Sequence, residues 1–267
     1  MSTHPALSLP ARPDSPTSRD TPLDASCDPH RSADRANDRA AAAALVAGSV
    51  AGLAVMALHP TGRDAMRNAA AGTPNTLLTA VHVVALVVQP LVLAGTLALT
   101  RRLRAAGAGA TAAATAATGY FALASVAALA AAVASGLVAP RVLGGFAESG
   151  TPERAAMLAA LTYTGHLNRS FARLDVLLTG VAVTLWSGAM LASSRAPAED
   201  LAGRPARAWP PALAWSGLAL GCALALGAGT GYLRMDVHGF GLAVLGQALW
   251  LTGVAARLWR PSPADAR

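Results

Sequence analysis

The chain contains no lysine: all 21 of its basic residues are arginine. Alongside an excess of alanine, that is the mark of a GC-rich genome rather than of a surface built for an anionic polymer. Charge of either sign is scarce. Asp, Glu, Lys and Arg make up 13% of the 267 residues, about half the share usual in a soluble domain, which argues against a water-solvated fold. Cysteine is nearly absent as well. Cys27 stands in a polar stretch and Cys222 in an apolar run, neither in a CxxC pair, so no disulfide framework or thiolate metal centre is expected. HxxxH and HExxH are also missing, which removes the spaced pairs that mark a metal site most strongly. No internal repeat of about 20–50 residues is visible, which excludes a solenoid.

What the chain has instead is apolar length. Hydrophobic residues reach 54% and the mean hydropathy is positive. They are blocked into six runs at 40–58, 76–99, 117–139, 170–192, 211–231 and 237–258. Each has about the 17–25 residues a helix needs to cross a hydrocarbon core. None alternates apolar with polar residues, so a membrane barrel is excluded. Ala, Gly and Ser are dense within the runs, as in ASVAALAAAVASG at 124–136, and small residues let helices pack closely. The expected fold is all-α: a polytopic membrane protein with a six-transmembrane-helix bundle. Pro90, after Gln89 in the second run, is expected to kink its helix and free a carbonyl. The glycine-rich LGCALALGAGTGY at 220–232 follows no strand, so it is not read as a nucleotide loop.

Residues 1–39 are rich in Pro, Ser, Asp and Arg and cannot bury enough surface to offset their ordering entropy. They are expected to form a disordered cytoplasmic tail, followed by a transmembrane domain over 40–260 and a short cytoplasmic tail at 261–267. Arginines orient the bundle. Leaving Arg12 and Arg19 aside, twelve fall on the side of the termini and seven on the other. That asymmetry places both termini in the cytoplasm, and the composition has the look of a small bacterial inner-membrane protein. The net charge of +7 is scattered over span ends, so nucleic acid is not an expected partner. The expected partners are the lipid bilayer and a membrane-protein neighbour or second copy. An interfacial helix is expected to start at Thr151-Pro152-Glu153, with Thr151 as its cap, and to run into the fourth span.

On this topology His59, His82, His166 and His238 all fall on the outer side, from four different spans. Asn168, Asp175 and Asp236 fall there too, with Asp64 and Asn75. Converging imidazoles with carboxylates to orient them are the ingredients of a metal site, or of one haem. Met56 and Met235 each precede a histidine by three residues, a pairing suited to copper. The stretch GHLNRSFARLD at 165–175 concentrates this polarity. On a helix His166, Arg169 and Arg173 share one face, and Asn168 and Asp175 another. Arg173 would attract an anionic ligand, while Arg169 reads as part of an interfacial collar. Four functions fit: a metal or redox membrane protein, a small transporter or proton-coupled carrier, an accessory scaffold without a cofactor, and an intramembrane zinc hydrolase.

Overall fold

The computed structural model describes residues 29–105, 107–194 and 209–260. Among them the secondary structure is entirely helical. Six helices are long and apolar enough to cross a membrane, which makes the chain a multi-pass integral membrane protein. The spanning helices are α1 (Pro29–Leu58), α3 (Thr76–Arg104), α4 (Ala108–Val133), α6 (Thr151–Ser193), α7 (Pro211–Thr230) and α8 (Val237–Trp259). Two short ones, α2 (Gly62–Ala70) and α5 (Ala139–Leu143), lie at the end where His59, His82 and His238 are found, called here the histidine end. A π-helical turn, Ala134–Val138, joins α4 to α5.

The boundaries differ from the apolar runs in instructive ways. α1 starts at Pro29, N-terminal to its apolar run; residues 1–28 and 261–267 of the expected tails lie outside the described residues. The third span extends to Leu143 through the π turn. Its cause is local. Pro140 has no N–H to return to Gly136, and just upstream the amide of Ala139 reaches back five residues to the Ala134 carbonyl. α3 runs unbroken through Pro90. The interfacial helix and the fourth span form one 43-residue helix, capped at Gly150 rather than Thr151, with Pro152 in its first turn.

Around the bundle the order of neighbours is α1, α3, α4, α6, α7, α8 and back to α1, a closed ring. Hydrocarbon solvates apolar side chains as well as a protein core does, so packing and interhelical hydrogen bonds hold such a ring. Both are visible. Gly180 on α6 and Gly221 on α7 let the two backbones nearly touch. The Trp186 indole N–H on α6 donates to Thr100 Oγ1 on α3 at 3.0 Å, and Thr100 meets Thr118 of α4 at 2.7 Å.

The core is unequally distributed along the ring axis. At the end opposite the histidines, Leu45, Leu99, Leu103, Phe121, Trp186, Trp250 and Val254 fill the centre. Trp186 packs against Phe121 and stacks on Trp250, with centroids 5.5 and 6.4 Å away. An ion pair closes the same end: Arg102 Nε donates to Asp38 Oδ2 at 2.9 Å. The Asp38 side chain is 12% exposed and that of Arg102 49%. Arg102→Ala therefore strands a nearly buried carboxylate and is expected to cost about 1–2 kcal/mol in thermal unfolding in detergent. Asp38→Asn should cost less, because the guanidinium left behind still reaches solvent.

Candidate functional site

The histidine end is assembled by short-range hydrogen bonds. Thr61 and Asp64 form a capping box for α2: the Thr61 amide donates to Asp64 Oδ2 at 3.1 Å, and the Asp64 amide returns to Thr61 Oγ1 at 3.3 Å. The Thr61 hydroxyl, which donates to Asp64 Oδ2 at 2.7 Å, and then the Thr61 amide hold the Asp64 carboxyl below its ordinary range. Asn75 ties α2 to the start of α3. Its amide donates to the Ala65 carbonyl at 3.2 Å and its oxygen accepts from Asn68 at 3.3 Å. Beneath α2, Ala65, Ala69, Leu78 and Leu143 form a small apolar cluster.

These contacts bring the end of α1 beside the second turn of α3. His59 Nδ1 lies 2.9 Å from the Pro60 carbonyl, and His82 Nδ1 lies 2.7 Å from the Leu78 carbonyl. The two Nε2 atoms are 3.3 Å apart, with the rings edge to face and their centroids 4.9 Å apart. Ser135, on the π turn, places its Oγ 2.7 Å from His82 Nε2. The next residue, Gly136, has no side chain where a Cβ would overlap the His82 ring. Burial lowers the basicity of His59, and the Pro60 carbonyl only partly restores it.

The pair looks onto a cavity of about 1750 Å³ inside the ring. Its mouth carries Arg63, Asp64, Arg67, Arg234, Asp236 and His238, and α6 contributes Asn168, Arg169, Arg173 and Asp175. The floor holds Ser49, Gln89 and Gln247 among apolar side chains such as Val92 and Leu251. From His59 to Gly48, which also lines it, is eleven residues of helix, about 16 Å. The chamber thus reaches about the middle of a 30 Å hydrocarbon core. Val92 and Leu251 belong to the core cluster that contains Trp186.

Of the residues singled out from sequence, His59, His82, His238, Asn168, Arg173, Asp175 and Asp236 line this chamber, and Asn75 and His166 do not; His166 is exposed on α6. The expected four-histidine set therefore does not form. Only His59 and His82 touch, and among the described residues no three His, Cys, Asp or Glu side chains group as metal ligands. Two axial imidazoles on one haem iron would sit about 4 Å apart across the metal, which a direct 3.3 Å contact does not match. The expected orienting role of the carboxylates does not form either. Asp175 accepts from Thr179 Oγ1 at 3.4 Å, on its own helix. Asp236 caps α8, accepting from the Gly239 amide at 2.9 Å, and meets Arg234 Nε at 3.3 Å.

The Gly239 amide lowers the Asp236 pKa from its ordinary 3.8. The contribution of this cap is therefore complete above about pH 4 and lost as pH falls through the lowered value. Asp236→Asn keeps an oxygen for the amide, so its thermal midpoint should lose less between pH 5 and pH 2 than that of the wild type.

Arg169 was expected in an interfacial collar, yet it lines the chamber. Ser135 carried no signal in the sequence. Gln89 on α3 makes an interhelical bond, donating to Ser125 Oγ on α4 at 3.1 Å, while still lining the chamber. The Ser49 hydroxyl is buried and has no hydrogen-bond partner among the described residues. No protein-family model, curated protein or solved structure matches the chain.

Proposed function

We propose that the protein is a membrane carrier that loads a small anionic solute from the histidine end. The observation that carries this reading is the chamber itself, which is lined at the histidine end by charged side chains and stops at mid-bundle on Val92 and Leu251 of the core cluster that contains Trp186. Polar groups deep in a membrane bundle are costly and tend to serve a ligand or a path. The sign of the ligand follows from the walls. Arg63, Arg169 and Arg173 line the chamber with no carboxylate partner among the described residues, whereas two of its three aspartates are engaged by a helix amide and an arginine or by a capping threonine. A scaffold held together by its polar groups would pair them with one another, and the Ser49 hydroxyl and these guanidiniums are not so paired. The arginine asymmetry along the sequence supports both termini in the cytoplasm of a bacterial inner membrane, with the chamber opening outward.

Thermal unfolding in detergent with sulfate, phosphate or succinate tests the reading against choline at equal ionic strength. Ligand at 100 times its dissociation constant stabilises by about 2.7 kcal/mol, so at least one anion should raise the midpoint by several degrees. Arg169→Gln/Arg173→Gln should abolish that rise. An equal response to choline, or an undiminished one in the variant, would sink the proposal. Radiolabelled uptake of the responding anion into proteoliposomes then separates a carrier from a receptor.

A further inference from the structure

We infer that His59 and His82, with Ser135 beside them as a positioning residue, form a binding site for one transition-metal ion, of the zinc or cobalt class, on the chamber wall. The argument starts from hydrogen-bond roles. The carbonyl oxygens of Pro60 and Leu78 can only accept, so the Nδ1 atom of each ring carries the proton. Both Nε2 atoms are then left with lone pairs. Those atoms are 3.3 Å apart while the ring centroids are 4.9 Å apart, so the nitrogens are turned toward each other. Two facing lone pairs repel unless a cation lies between them.

The distance identifies the cation. Two nitrogens bound tetrahedrally at 2.0–2.1 Å are about 3.3–3.4 Å apart, which is the separation found. A histidine that ligates through Nε2 characteristically donates Nδ1–H to a backbone carbonyl, which fixes tautomer and ring orientation. Both rings already do so. Ser135 supports the pair from beside it: its hydroxyl lies 2.8 Å from the Ala131 carbonyl and 2.7 Å from His82 Nε2, a hydrogen-bond separation shorter than the roughly 3.3 Å between two ligands of one tetrahedral ion, so it positions the imidazole. Gly136 lets the π turn press against the imidazole. The remaining coordination positions face the chamber, where water can fill them. This site stands on the imidazole geometry and is independent of the arginines that carry the carrier reading.

The test is a Co²⁺ titration of the full chain, purified in detergent without a polyhistidine tag. Visible absorption of tetrahedral Co²⁺ is followed, then Zn²⁺ retention after desalting. One equivalent should bind, with Zn²⁺ displacing the cobalt spectrum. His59→Ala and His82→Ala should each weaken binding by at least about tenfold and Ser135→Ala by up to about tenfold, while His166→Ala/His238→Ala leaves it unchanged. His59→Gln, at a half-buried helix end, carries the test where His82→Ala does not fold. A protein that shows no tetrahedral cobalt spectrum overturns the assignment. So does equal binding by His59→Gln, or loss of binding in His166→Ala/His238→Ala.

Discussion

Trp186→Ala is expected to destabilise the bundle by about 3–5 kcal/mol, seen as a lowered thermal midpoint in detergent, and to open the blind end of the chamber. Trp186 is fully buried and touches three helices: it packs on Phe121 of α4, stacks on Trp250 of α8 and hydrogen-bonds Thr100 of α3. Ala removes the ring from all of them at once, and in a bundle held by packing the neighbours cannot close the gap without tilting helices. The second readout is access. Ser49→Cys, in a chain cleared of Cys27 and Cys222, should resist an impermeant thiol reagent supplied from the α1 N-terminal side. With Trp186→Ala it should label from that side as well. Labelling that is already equal with Trp186 in place would show that the aromatic cluster is not the seal.

Gly180→Leu is expected to abolish assembly, because the α6–α7 contact is made by backbone. A Cβ on Gly180 would meet the Ala225 amide nitrogen and the Gly221 carbonyl well inside normal contact, and one on Gly221 would meet the Gly180 carbonyl in return. Neither neighbour is the free end of a side chain, so the helices must separate. Overpacking of this kind costs about 1–3 kcal/mol for a small group and more for a large one, which puts Gly180→Ala in the first range and Leu beyond it. Gly188, eight residues on in the same helix, supplies the control. It is exposed with nothing near its Cβ position, so Gly188→Ala should stabilise by up to about 1 kcal/mol through helix propensity. Gly180→Ala should therefore melt below the wild type and Gly188→Ala above it, while Gly180→Leu gives no folded bundle to melt.

Hydropathy revealed the six spans because each run is long and nearly free of charge. It was silent on α2, which is nine residues long and polar, although the Thr61–Asp64 spacing of its capping box stood in the sequence. The histidines show where one-dimensional reasoning stops. All four belong to one end by connectivity, but which of them meet depends on the approach of α1 to α3. That approach is set by Asn75, α2 and the π turn, none of which has an apolar period. On α6 the two expected stripes merge into one wall: Asn168, Arg169, Arg173 and Asp175 line the same chamber. His166 stands only about 20° around the helix from Arg173. The long arginine reaches into the chamber from that edge and the short imidazole does not. Ser135 was illegible because only the widened turn before Pro140 aims it at His82.

The unbroken length of α6 has a mechanical consequence. At 1.5 Å per residue it is about 65 Å long, roughly twice the hydrocarbon thickness. Its backbone-on-backbone contact, Gly180 against Gly221, lies well off centre, so a tilt pivoted there would move the two ends unequally. Thr151 is twenty-nine residues from that point and Arg173 seven. A tilt of about 5° about the glycines carries the far tip through about 4 Å and the arginine through about 1 Å. Pivoted there, the helix would gear down by a factor near four, turning a large displacement of its far end into a fine adjustment of the chamber wall.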